Sequence, residues 1–211
     1  MTALSRLMDR LGECPIIAIL RGLTPQEALP IGNALVETGI RVIEVPLNAP
    51  RALDSIEILA KEFGAAAVIG AGTVLEPADV ARIAAAGGEL VVSPCVDEQV
   101  IAATGKAGMV SCPGYFTPTE GLRAIAAGAH LLKLFPAQAA GPAMLKAQLE
   151  IFPPGFPVLA VGGVTPADMP AYLAAGARGF GLGSSLYRPG ATPAEVSASA
   201  RAFVTGLERD R

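Results

Sequence analysis

Six times along the chain, a helical segment closes on glycine and an apolar run begins within a residue or two. The junctions are ETG–IRVIEV ending at Val45, EFG–AAAVIG ending at Gly70, AAGG–ELVVS ending at Ser93, KAG–MVSC ending at Cys112, AAGA–HLLKLF ending at Phe135 and AAGA–RGFGLG ending at Gly183. Glycine takes the left-handed conformation that closes a helix, so it marks each passage from helix to strand. Two further apolar runs, CPIIAIL (14–20) and FPVLAVG (156–162), follow proline or glycine signals. Helical segments lie between the runs. Most open on proline after a capping residue, at Thr24-Pro25, Ala49-Pro50, Glu76-Pro77, Thr117-Pro118, Gly141-Pro142, Thr165-Pro166 and Thr192-Pro193. Proline is favoured at the first helical position. The fourth helix, from about Asp97, lacks it, and Met1 to Glu13 reads as a short amphipathic helix. Eight strand-then-helix units in 211 residues come close to the minimum for a closed barrel. They predict a single (β/α)₈ barrel domain over residues 1–211 with a short N-terminal helix. A doubly wound open sheet is the alternative.

Composition supports the layered reading. A hydrophobic fraction of 52% and a mean hydropathy of +0.49 require apolar segments buried on several sides, as parallel strands covered by helices are. Glycine, proline or a charge interrupts every apolar run before the roughly 18 residues that a membrane span needs. The first residues carry Arg6, Asp9, Arg10 and Glu13 with no apolar signal core, so a soluble, cytoplasmic protein is expected. The net charge of −3 and the lack of a basic run argue against nucleic-acid or anionic-membrane partners. Any anion must therefore be gripped locally. Cys14, Cys95 and Cys112 show no C-x-x-C spacing and read as small buried fillers rather than disulfide or metal ligands.

In such a barrel the site forms where strands end and the following loops begin. Those positions hold Arg21, Glu44, Thr73, Pro94, Lys133, Gly162-Gly163 and Gly183-Ser184, polar or permissive residues from the whole chain converging on one rim. Lys133 lies in LLKLF, where desolvation disfavours the ammonium and frees an amine able to form an imine with a ketone. The alternative is a lysine whose head reaches the rim or pairs with a carboxylate. Glu44 lies in VIEVP, where burial raises a carboxyl pKa towards the range useful for proton transfer. A structural ion pair with Lys133 or Arg21 is its alternative. The glycines of AVGGVTP (160–166) and GLGS (181–184) free backbone N–H groups at the two loops that customarily hold phosphate in these barrels. His130, the only histidine, starts its strand and so falls at the opposite end. No cluster of ligands implies a metal, no dinucleotide motif opens a helix, and no cofactor is expected.

AILRG (18–22), EVPLNAP (44–50), IGAGTVL (69–75), KLFPA (133–137), AVGGVTP (160–166) and GLGSSLY (181–187) together resemble the 2-keto-3-deoxy-6-phosphogluconate/phosphogalactonate aldolase family. The blocks fall in order from Ala18 to Tyr187. The resemblance implies a metal-free class I aldolase in which Lys133 forms the Schiff base and Glu44 moves protons. It further implies that Arg21 and Thr73 hold the substrate carboxylate. Val161, Gly162, Gly163, Gly183 and Ser184 would line the phosphate end, with Pro94 and Phe135 as walls. Asn48 stands where the phosphogluconate branch typically has arginine, and Val161 where it tends to have threonine. The chain is thus more similar to the phosphogalactonate branch. A broader aldolase acting on the gluconate epimer or 4-hydroxy-2-oxoglutarate, or a silent phosphate-binding barrel, are the alternatives. Family likeness also implies a homotrimer.

Overall fold

Every apolar run becomes a parallel strand, and the side of the sheet each residue faces follows from its parity. The computed structural model describes residues 1–208. In chain order the elements are α1 (Ala3–Glu13), β1 (Ile16–Ile19), α2 (Pro25–Glu37), β2 (Val42–Pro46), α3 (Ala52–Phe63), β3 (Val68–Gly72), α4 (Pro77–Ala85), β4 (Leu90–Val92) and α5 (Glu98–Lys106). They continue with β5 (Val110–Cys112), β6 (Gly114–Tyr115), α6 (Pro118–Ala126), β7 (Leu132–Leu134), α7 (Ala137–Leu149), β8 (Val158–Val161), α8 (Met169–Ala174), β9 (Gly179–Leu182) and α9 (Pro193–Glu208).

The fifth apolar run is divided at Pro113, which has no N–H to give a sheet ladder. Its first half, β5, pairs with β4, and its second half, β6, pairs with β7, giving the order β5-β4-β3-β2-β1-β9-β8-β7-β6. Because β5 and β6 are one stretch of chain, the two ends of this order meet. The seam is stitched by Gly114 N–H to Ser93 O at 2.9 Å, Leu131 N–H to Ser111 O at 3.2 Å and Lys133 N–H to Pro113 O at 2.9 Å. An eight-stranded (β/α)₈ ring results, and the open sheet is excluded.

Inside the ring, Ile17, Ile19, Val42, Val68, Leu90, Val92, Val110, Cys112, Leu131, Leu159 and Val161 form one apolar cluster. Their neighbours in sequence, such as Ile16, Ala18, Ile43, Val45, Leu132 and Leu134, belong to a second cluster under the helices. The N-terminal helix joins the inner cluster. Its fully buried Leu7 and nearly buried Leu11 close the end of the barrel where the strands begin. Arg6 anchors it by an ion pair to Glu89 at 2.7 Å.

Three helix starts differ from the sequence reading. Pro50 lies in a turn before α3, whose cap is Arg51 in the left-handed region (φ 49°). Pro166 lies in a turn, and α8 begins only at Met169. The seventh helix begins at Ala137 and breaks at Gly141 (φ 74°, ψ 163°), so Pro142 restarts it. Cys14 and Cys112 are buried as expected, but Cys95 is exposed because it sits in the loop after β4. One device of the form Thr-Pro-x-Glu/Asp recurs four times, at the starts of α2, α6 and α9 and in the turn that leads into α8. The N–H and hydroxyl of Thr24, Thr117, Thr165 and Thr192 donate to one carboxylate oxygen of Glu27, Glu120, Asp168 and Glu195 at 2.6–3.0 Å. The fixed negative charge also complements the helix dipole.

Candidate active site

Opposite α1, where the strands end, the apolar filling stops and a cavity of about 330 Å³ opens. All eleven residues singled out from the sequence line it: Arg21, Glu44, Thr73, Pro94, Lys133, Phe135, Val161, Gly162, Gly163, Gly183 and Ser184. His130 stands at the other end, where its Nδ1 accepts the Ser111 N–H at 3.1 Å.

Glu44 faces inward with Val42, and Lys133 with Leu131, so both charges stand on the last inward layer of the barrel. Only 2% of Glu44 and 8% of Lys133 is exposed, a burial that charged side chains almost never accept without a direct partner. Among the described residues, neither Lys133 nor Arg21 comes within the 4.0 Å of the Glu44 carboxylate that an ion pair requires. Glu44 Oε2 is buried with no hydrogen-bond partner among those residues. Burial pushes the Glu44 carboxyl up to about 7, against the opposing pull of the positive charges of Lys133 and Arg21. Burial likewise pulls the Lys133 amine below its ordinary range, while Glu44 and then Cys112 hold it up. The two shifts run towards each other, and a carboxyl at about 7 is suited to exchange protons near neutral pH. Lys133 Nζ lies 4.6 Å from the centroid of the Phe135 ring.

The carboxylate of Glu44 has room only because its neighbour on β3 lacks a side chain. A Cβ added to Gly72 would overlap Oε1, Oε2 and Cδ of Glu44. Gly72→Ala is therefore expected to displace the carboxyl and cut kcat by about 10²-fold, approaching the loss of the group itself. Steady-state kinetics beside a circular-dichroism melt test this, and turnover unchanged in a folded variant contradicts it.

The two ends of the cavity suit anions. On one side Arg21 is exposed, with Nη1 3.4 Å from Asn48 Oδ1, and Thr73, after β3, takes a left-handed backbone (φ 54°). That conformation is costly for a β-branched residue and occurs disproportionately at functional sites. On the other side Gly162 (φ 96°) and Gly163 (φ 76°) turn the chain sharply after β8. A Cβ on Gly162 would meet the Phe135 ring at 3.1 Å, and one on Gly163 would meet Gln138 Cβ at 2.7 Å. Among the described residues, the N–H groups of Gly163, Val164, Ser184 and Ser185 donate to no acceptor. Ser184 and Ser185 belong to a single turn, closed by Leu186 N–H to Gly183 O at 2.8 Å, rather than to a helix.

Ile19, Gly181, Val164, Thr165 and Ser185 also line the cavity and were not singled out from the sequence. The parity of Ile19 with Ile17 was a signal for the first. Gly181 leaves space beside Val161 Cγ2, which an added Cβ would meet at 2.8 Å. Among the described residues, no group of three or more His, Cys, Asp or Glu is placed to hold a metal, and no helix is long and apolar enough to cross a membrane.

A parallel barrel with a buried amine and a buried carboxyl at the strand ends is the framework of a carbon–carbon lyase. The chain belongs to the KDPG and KHG aldolase family, whose model matches residues 7–196. It is 49% identical over 205 residues to a probable 2-dehydro-3-deoxy-6-phosphogalactonate aldolase of Rhizobium meliloti, covering 95% of this chain and 97% of that one. It is 44% identical over 190 residues to the 2-dehydro-3-deoxy-6-phosphogalactonate aldolase of Escherichia coli, covering 90% and 93%. A solved native KDPGal structure superposes with a TM-score of 0.92 at 42% identity, covering 94% of this chain and 96% of that one. More distant is a KDPG aldolase from Legionella pneumophila holding pyruvate as a covalent carbinolamine, with a TM-score of 0.84, 28% identity, and 93% and 97% coverage.

Proposed function

We propose that this protein is a class I aldolase cleaving 2-dehydro-3-deoxy-6-phospho-D-galactonate to pyruvate and D-glyceraldehyde 3-phosphate. The observation that carries the reading is the pair of Lys133 and Glu44, buried in one cavity without a direct ion pair, between two anion-holding ends. The neutral Lys133 amine attacks the C2 carbonyl to give a carbinolamine, and Glu44 gives its proton to the carbinolamine hydroxyl, which leaves as water as the iminium forms. Glu44 then accepts the C4 hydroxyl proton while the C3–C4 bond breaks. The bonding electrons move into the iminium, leaving an enamine, and the aldehyde departs. Glu44 returns its proton to C3, and hydrolysis frees pyruvate and the amine. The iminium is the electron sink, so this route needs no metal or cofactor. The covalent pyruvate adduct of the Legionella relative supports it.

Arg21 and Thr73 hold the C1 carboxylate, for which a guanidinium fork is suited. Gly162, Gly163, Gly183 and Ser184 surround the phosphate, and Pro94 and Phe135 wall the cavity. We also propose, from family likeness, a homotrimer working in the cytoplasm, with residues 1–211 forming one barrel domain.

The preferred epimer depends on contacts near C4. Val161 offers methyl groups there, and an apolar wall discriminates by only about 1–3 kcal/mol. The galactonate epimer is expected to give the higher kcat/KM for pyruvate release, with the gluconate epimer still cleaved measurably. Val161→Thr should narrow or reverse that ratio while preserving covalent trapping of pyruvate. A wild-type preference for the gluconate epimer, unmoved by Val161→Thr, would leave an aldolase of the other specificity.

A further inference from the structure

Glu27 differs from its three counterparts in the other Thr-Pro-x-acid motifs. In each, one carboxylate oxygen receives the threonine N–H and hydroxyl. Among the described residues, only Glu27 extends its second oxygen to a distant loop. Its Oε1 accepts the Gly190 N–H at 3.2 Å and the Tyr187 hydroxyl at 3.4 Å. Tyr187 and Gly190 belong to the segment after β9 that begins with the Ser184-Ser185 turn. Thr24, held by the first oxygen, belongs to the loop after β1 that begins with Arg21. The same two loops also touch directly. Gly22 has a left-handed backbone (φ 84°), and a Cβ there would meet Pro189 Cγ at 2.7 Å.

The chemistry of the two partners suits a permanent clasp. Tyr187 is only 2% exposed, and burial, aided by the Glu27 charge, pushes its phenol up to about 12, so it remains a donor. Burial opposes ionisation of Glu27, but the hydrogen bonds from Thr24, Gly190 and Tyr187 outweigh it and hold the carboxyl below its ordinary range.

We infer that Glu27 is a positioning residue whose carboxylate fixes the Ser184-Ser185 turn to the Arg21 loop, and so sets the span between the two anion-holding ends of the cavity. This rests on the function proposed above. A substrate anchored at both ends feels that span, whereas pyruvate, anchored only at Arg21, Thr73 and Lys133, does not. An amide cannot replace the carboxylate here. One glutamine oxygen can serve the Thr24 donors or the Gly190 N–H but not both, and the NH₂ would face a donor.

The test compares E27Q, Tyr187→Phe and a control, Glu120→Gln, which alters the same helix-start bonds on α6 without the second reach. E27Q is expected to raise KM for the phosphorylated substrate about tenfold with kcat within about twofold, the loss of one or two hydrogen bonds. Borohydride trapping of pyruvate should keep its concentration dependence. Tyr187→Phe should raise KM less, and Glu120→Gln should leave it unchanged. Equal KM values in E27Q and Glu120→Gln, or an equal loss of pyruvate trapping and substrate affinity in E27Q, would overturn the assignment. If E27Q does not fold, an unchanged KM in Tyr187→Phe overturns it. Lack of any pyruvate adduct in the wild-type protein overturns the proposed function itself, a result distinct from these.

Discussion

Pyruvate and borohydride together are expected to inactivate the protein irreversibly, leaving one reduced adduct on Lys133, and Lys133→Ala is expected to lose both the adduct and essentially all turnover. The expectation follows from the environment of the amine. Lys133 is 8% exposed, the barrel filling beneath it is apolar, and burial lowers its pKa. The unprotonated amine is the nucleophile, and burial makes it available at a pH where an exposed lysine is charged. Lys61, Lys106 and Lys146 stand exposed on α3, α5 and α7. Peptide mapping of the trapped protein distinguishes them, and an adduct on any of these with Lys133 unmodified would overturn the mechanism.

Glu44→Gln is expected to reduce kcat by about 10²–10⁴-fold, the range typical of a general acid–base group. Removing the Glu44 charge also removes the first influence that holds the Lys133 pKa up, so the amine becomes more readily neutral. The deficit therefore lies in proton transfer rather than in the nucleophile. In the wild type, Glu44 must enter turnover protonated to give its proton as the iminium forms, so kcat/KM should fall above about pH 7 as Glu44 ionises, and this limb should vanish in the variant. Folding stability should fall across a neighbouring range. The folded carboxyl keeps its proton to about 7 and the unfolded one loses it near 4.5, so between these values the folded state binds more protons. Wild-type stability consequently falls as pH rises across that window, by something on the order of 3 kcal/mol. Glutamine does not titrate, so denaturation midpoints should favour the variant more at pH 8 than at pH 5. Near wild-type turnover with an unchanged pH profile would reduce Glu44 to a structural group.

The strand positions and the rim were legible because both rest on local chemistry. Glycine closes a helix wherever it occurs, and a charge inside an apolar run such as LLKLF or VIEVP must face the one place that solvent or substrate can reach. What was not legible is nonlocal. Ile17 and Ile19 fill the barrel while Ile16 and Ala18 lie under helices, and their side chains alone do not separate the two faces. The division at Pro113 depends on two different strands flanking one run. Pro50 and Pro166 occupy turns because proline's fixed φ suits a turn as well as a helix start. Gly72 serves a carboxylate on the adjacent strand, and Glu27 meets partners 160 and 163 residues away. Nothing in the sequence around either residue announces that.

The plug formed by Leu7 and Leu11 has a consequence for the sequence of events in turnover. With the far end of the barrel stoppered, the cavity has one doorway, and the proposed covalent anchor, Lys133, lies at its back. The Gly163 and Ser184 loops are exposed at the threshold, while Lys133 and Glu44 are buried behind them. Under the mechanism proposed above, cleavage frees the phosphorylated aldehyde while the three-carbon fragment is still bonded to Lys133, so the aldehyde departs first. Run in reverse, the same geometry admits the keto acid before the aldehyde. Traffic under that mechanism is thus last in, first out, an order set by the covalent bond and by the single open end of a filled barrel.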